Sequence, residues 1–166
     1  HKGLFTAVSA IAFSSMIGLI QTGKKIGWGP FGYLYEWDGE TDQIVKKYDP
    51  ENRKGEVIFY GASNFRLWKE MEEDLKEYKV QNHGFGGSTD VLLMKYAEKL
   101  LYPYDPKIVV FQTGSNDYVR MKGSVQEIAQ DCIRIKKEMF EQIHQNLPET
   151  KMIIMAGILM PRRDTY

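Results

Sequence analysis

The chain has 166 residues, 43% of them hydrophobic and 27% charged, with ordinary amounts of Gly (15) and Pro (6). That composition suits one globular domain with a short appendage and excludes disordered, collagen-like and low-complexity chains. Lys plus Arg (22) balances Asp plus Glu (22), so no overall charge draws the chain to nucleic acid or another polyanion. The one cysteine, Cys132, excludes an internal disulfide and a cysteine-built zinc site. No cofactor is implied, because no cluster of His, Cys, Asp and Glu has metal-ligand spacing.

From Gly3 to Gly23 there is no charged residue, and Leu4 to Ile20 reads LFTAVSAIAFSSMIGLI. As a helix the uncharged stretch would reach ~30 Å, about one hydrocarbon core. Residues 1–25 are therefore expected to form an apolar N-terminal helix, either a signal anchor or a signal peptide, with a buried helix as the third reading. Membrane association through residues 4–20 and a membrane-anchored or secreted location follow from it as expectations. Residues 26–55 form an aromatic and glycine-rich arm and linker. Trp28, Phe31, Tyr33, Tyr35 and Trp37 suit either a membrane interface or packing on the domain, and residues 38 to 55 read as a polar, turn-rich connection.

Residues 56–166 alternate strand and helix. Glu56 to Tyr60 (EVIFY) is a short β-branched and aromatic run, and Asn64 to Tyr78 then spaces Phe65, Leu67, Trp68, Met71, Leu75 and Tyr78 as in a helix. Lys79 to Asn82 reads as a second strand, His83 to Ser88 as a loop and Thr89 to Leu101 as a helix. Lys107 to Gln112 (KIVVFQ) is the clearest strand, Ser124 to Asn146 a long amphipathic helix, and Lys151 to Ile158 a fourth strand. Continuous apolar strands separated by helices predict an α/β fold with a central parallel sheet covered on both faces.

In open sheets of this kind the working residues sit on loops beyond the carboxyl ends of the strands. Three such loops read Gly61-Ala62-Ser63-Asn64, Asn82-His83-Gly84-Phe85-Gly86-Gly87-Ser88-Thr89 and Thr113-Gly114-Ser115-Asn116-Asp117. Ser63 at a strand-to-helix turn is placed either as a nucleophile beside backbone N–H donors or as a helix N-cap. Glycines at 84, 86 and 87 let backbone N–H groups approach a ligand. Asn116 is a side-chain donor for an oxyanion or the maker of an Asx-turn.

Taken in order, the loops resemble the sequence blocks of the SGNH, or GDSL-type, serine hydrolases, most closely the platelet-activating-factor acetylhydrolase-like branch. Gly61-Ala62-Ser63 matches the G-D-S block, Gly87 the second-block glycine, and Gly114-Ser115-Asn116-Asp117 the G-x-N-D block. The resemblance covers roughly Glu56 to Pro161 and implies a three-layer, flavodoxin-like fold. It also implies an esterase or acyl hydrolase in which Ser63 attacks an ester carbonyl. The backbone N–H groups of Ser63 and Gly87 and the Asn116 side chain would form the oxyanion hole. Asn64 and Asp117 are further candidates for substrate contact, and His83 either shapes the second loop or touches substrate. The substrate would be a small-molecule, lipid, lysophospholipid or O-acetyl glycan ester.

The chain departs from the family pattern at Ala62, which stands where the family carries Asp, and in having no D-x-x-H. Its histidines are His1, His83 and His144. A base-less serine is a weak nucleophile, so the D-x-x-H block is expected beyond Tyr166 and the fragment alone is expected to be inactive. Two other classes compete. A hydrolase-like module that lost catalysis would bind an acylated glycan or lipid. A nucleotide-binding domain is disfavoured because GFGGST has Thr89 where G-x-G-x-x-G needs its last glycine.

Overall fold

The computed structural model describes residues 37–157. The apolar run 4–20 and most of the aromatic arm lie outside the described residues; among those described, no helix is long and apolar enough to cross a membrane. The chain divides into two compact units after Gln43, and the sheet and candidate site both belong to the second.

Four strands form one parallel sheet in the order β2-β1-β3-β4: β1 (Val57–Gly61), β2 (Val80–Asn82), β3 (Ile108–Gln112) and β4 (Lys151–Ile154). This is the start of the doubly wound flavodoxin order, in which the chain moves outward in opposite directions from β1 and β3 and leaves a crevice at their carboxyl ends. The period of two along β1 sorts its side chains. Val57 and Phe59 join Phe65, Met71, Val80 and Val110 in a core on one face. Tyr60, on the other face, packs against Phe85 and Phe111, and its hydroxyl donates to the Leu93 carbonyl. Both faces of the central strands are thus covered, which is why β1 is apolar throughout.

The helices are α1 (Asp38–Tyr48), α2 (Ser63–Leu67), α3 (Met71–Asp74), α4 (Asp90–Leu100), α5 (Ser115–Arg120) and α6 (Val125–Asn146). α4 starts with Thr89 accepting from Leu92 N, and α6 with a capping box between Ser124 and Glu127. Both agree with the sequence reading to within a residue.

Elsewhere the structure corrects it. The helix expected over Asn64 to Tyr78 is broken into α2, α3 and a 3₁₀ turn (Lys76–Tyr78). The Asn82 side chain donates to the carbonyls of Phe65 and Trp68, acceptors that a continuous helix would need for itself. The connection read over residues 38 to 55 begins with α1, whose acidic first turn and basic last turn complement the helix dipole. Its last residue, Tyr48, accepts from Asn82 N with its hydroxyl and so covers the open edge of β2. The fourth strand ends at Ile154 rather than Ile158, and Ile153, Ile154 and Met155 are exposed.

Gly61 is where the strands approach too closely for a side chain. A Cβ there would collide with the Gln112 carbonyl on β3 and lie 3.1 Å from the Phe65 ring. Gly61→Ala is expected to cost about 3 kcal/mol through overpacking, read as a lowered urea midpoint with an unchanged m-value.

Candidate active site

Ser63 is the first residue of α2, and Ala62, not Ser63, occupies the N-cap with no side-chain cap bond. The serine hydroxyl is therefore not spent on capping. The Ser63 N–H is among the helix-start donors with no intrahelical acceptor, and neither it nor the Gly87 N–H donates to an acceptor among the described residues.

The second loop is tied to the turn between β1 and α2 through the Gly61 oxygen. The Gly61 carbonyl accepts from Phe85 N at 3.0 Å and from Ser88 Oγ at 3.1 Å. Asn82 holds both sides, accepting from Gly84 N while its amide donates into α2. Gly84 has to be glycine, since a Cβ would sit 2.7 Å from Arg66 N. Gly87 turns the loop at φ +71°, a conformation L-residues seldom adopt.

The third loop meets the second at Ser88. Asn116 Nδ2 donates to the Ser88 carbonyl at 2.9 Å, which sets the side chain next to Gly87. An amide nitrogen carries two hydrogens, so one donor remains for a substrate oxygen. Gly114 caps α5 at φ +99°.

Asp117, expected near the substrate, and His83, expected to shape the second loop or touch substrate, are both buried. Asp117 is buried and accepts from Asp90 N at 3.0 and 3.2 Å through its two oxygens. Burial, then the Asp90 charge, raise its pKa, while the Asp90 N–H and Lys136 oppose the shift. It ties the third loop to the start of α4 instead of facing a ligand. His83 is fully buried, with Nδ1 2.7 Å from the Leu100 carbonyl oxygen and Nε2 3.0 Å from Gln81 Oε1, so a neutral ring donates to one of the two. Burial lowers its pKa to about 3, so the ring stays neutral and supports the loop from behind. Asn64 lies exposed on α2.

Sequence reading missed what holds these loops. Asp90, with no exposed surface, accepts from the Thr113 hydroxyl and forms an ion pair with Lys136 Nζ at 2.8 Å. Lys136 stands on α6, far along the chain, and nothing in the local pattern marks it. Asp90 beside the glycine loop was the available signal. Among the described residues no group of three or more His, Cys, Asp and Glu is arranged to hold a metal.

No protein-family model matches the chain, and no curated protein does. Solved structures match it. A GDSL-like lipase from Bacteroides thetaiotaomicron superposes with a TM-score of 0.57 at 19% identity, over 74% of this chain and 62% of that one. This is the fold of the GDSL-like lipases and acylhydrolases. A Bacteroides fragilis protein described as an acylhydrolase gives 0.52 at 20% identity, over 66% of this chain and 55% of that one. A Streptococcus pneumoniae protein described as a platelet activating factor gives 0.53 at 18%, over 69% and 53%. The chain thus spans between about half and three fifths of the length of these structures.

Two measurements check the supports. Lys136→Met leaves the Asp90 carboxylate buried without its cation and is expected to cost about 3 kcal/mol. Adding Asp90→Asn recovers most of that loss, as read from urea midpoints. The unfolded chain protonates His83 near pH 6.5 and the folded one near 3, so its contribution is complete above pH 6.5 and is lost as pH falls. Between these values stability drops by about 1.4 kcal/mol per pH unit from this group, and His83→Gln removes that part of the slope.

Proposed function

We propose that the protein is a GDSL-type serine hydrolase that cleaves carboxylic esters through an acyl-enzyme on Ser63. The observation that carries this reading is the convergence of the three strand-end loops. Ser63 opens α2 without a capping role, Gly61 anchors the glycine loop, and Asn116 lies against Ser88 beside Gly87. The fold shared with GDSL-like lipases supports it.

Ser63 Oγ adds to the ester carbonyl carbon as its proton leaves to a base, and the carbonyl oxygen becomes an oxyanion. The N–H groups of Ser63 and Gly87 and the second Nδ2 hydrogen of Asn116 donate to that oxygen. Donors already fixed in place gain most when the charge develops, which is the usual source of such catalysis. The intermediate collapses by expelling the alcohol, which takes the proton, and water repeats the sequence to release the acid.

The base lies outside the described residues in this proposal. His83 is neutral but walled in. His144 stands in the last turn of α6, about 28 Å along the helix from its start near the third loop. The substrate class is a lipid, lysophospholipid or O-acetyl glycan ester, at a membrane or outside the cytoplasm on the strength of the apolar run 4–20.

The test uses the full-length protein with a fluorophosphonate probe and p-nitrophenyl acetate. Labelling and turnover are expected, with Ser63→Ala abolishing the first and lowering the second roughly a thousandfold or more. Asn116→Ala lowers kcat about 100- to 1,000-fold with a smaller effect on KM. A full-length protein that neither labels nor turns over esters of several chain lengths contradicts the proposal and favours a module that binds acylated glycans or lipids.

A further inference from the structure

Two arginines stand one helical turn beyond the two side chains assigned to the chemistry. Arg66 follows Ser63 by three residues on α2, and Arg120 follows Asn116 by four on α5. Those spacings put each arginine on the same helix face as its partner. Both side chains reach the same place. A Cβ built at Gly86 would lie 2.8 Å from Arg66 Nε and 2.9 Å from its Cζ, and one built at Gly87 would lie 3.3 Å from an Arg120 Nη. Gly86 and Gly87 are neighbours, with Cα atoms about 3.8 Å apart, so the two guanidinium groups sit within roughly 12 Å of each other. They flank the turn that presents the Gly87 N–H.

The packing need not have this form. A loop that only had to be covered would be served by apolar or short polar side chains, and the whole chain carries no excess of positive charge. Instead two cations from separate helices are brought to the glycines beside the oxyanion donors. A guanidinium offers five N–H donors in a planar fork, so it can hold contacts within the protein and still present donors to a carboxylate, sulfonate or phosphate. Both arginines are exposed, so a ligand can approach them.

We infer that Arg66 and Arg120 form an anion subsite beside the reacting carbonyl and that the preferred substrate is an ester carrying a negative charge close to the scissile bond. This rests on the hydrolase reading and adds the substrate's charge to it. The anion belongs either to the acyl part or to the alcohol part, and the two sources are separable by experiment.

The full-length protein is assayed with two matched pairs. Mono-p-nitrophenyl succinate against p-nitrophenyl acetate carries the charge on the acyl side; 4-acetoxybenzenesulfonate against phenyl acetate carries it on the alcohol side. In one pair kcat/KM for the anionic ester is expected to exceed that for the neutral one at least tenfold, and the ratio to fall as NaCl rises to about 0.5 M. Arg66→Gln and Arg120→Gln each bring that ratio to within about twofold of unity, while Arg66→Lys and Arg120→Lys retain part of it. Thermal unfolding of all four variants separates a lost subsite from a lost fold, and the lysine variants supply the comparison if a glutamine variant unfolds. Turnover without anionic preference in either pair, or a preference that the arginine variants leave intact, overturns the subsite while the hydrolase stands. Absence of both turnover and fluorophosphonate labelling overturns the hydrolase reading and the subsite with it.

Discussion

A carboxylate cut off from water has to be compensated from within, and Asp90 is where that requirement gathers the site. Its side chain takes the Thr113 hydroxyl from the third loop and the Lys136 ammonium from α6. Its own N–H goes to Asp117, again on the third loop. Three segments distant in sequence therefore hold one register at the crevice between β1 and β3. With Asp117 fixed, the preceding residue Asn116 is directed at Ser88. The arrangement does not by itself make the protein more stable than an apolar plug would. What it fixes is orientation, and side-chain donors need orientation to act on a developing charge.

The second constraint is one of space. β1 ends in a glycine because the Gln112 carbonyl and the Phe65 ring leave no room for a Cβ, and the freed Gly61 carbonyl then receives Phe85 N and Ser88 Oγ. The glycine loop is consequently hung from the same strand that delivers Ser63. His83 lies behind it, edge-on to Tyr104, tilted against Tyr48 and bonded to Leu100, and it stiffens the loop's root.

Much of this architecture is legible in the sequence because it depends on local periodicity. The apolar runs of β1 and β3, the capped amphipathic α6 and the three loops after strands all follow from spacing and turn chemistry. What escapes is set by tertiary contact. The break after Leu67 has no proline or glycine to announce it and arises from Asn82, whose acceptors Trp68 and Phe65 lie 14 and 17 residues back along the chain. α1 is easily passed over because its sequence is mostly polar, yet Thr41, Ile44 and Tyr48 are buried at helical spacing and its end charges complement the dipole. In the site, Ser63, Gly87 and Asn116 are marked by their motifs. Asp117 belongs to the third motif and His83 lies within the second loop, yet both are buried, a distinction that residue type and spacing do not encode.

For the proposed chemistry, three backbone and side-chain donors from separate loops have to converge on one oxygen. The most direct measurement is a crystal structure of the full-length protein after reaction with an alkyl fluorophosphonate. The predicted result is a phosphorus–Oγ bond at Ser63, with one phosphonyl oxygen about 3 Å from Ser63 N, Gly87 N and Asn116 Nδ2. An adduct on another residue, or a phosphonyl oxygen bound away from Gly87 and Asn116, would contradict it.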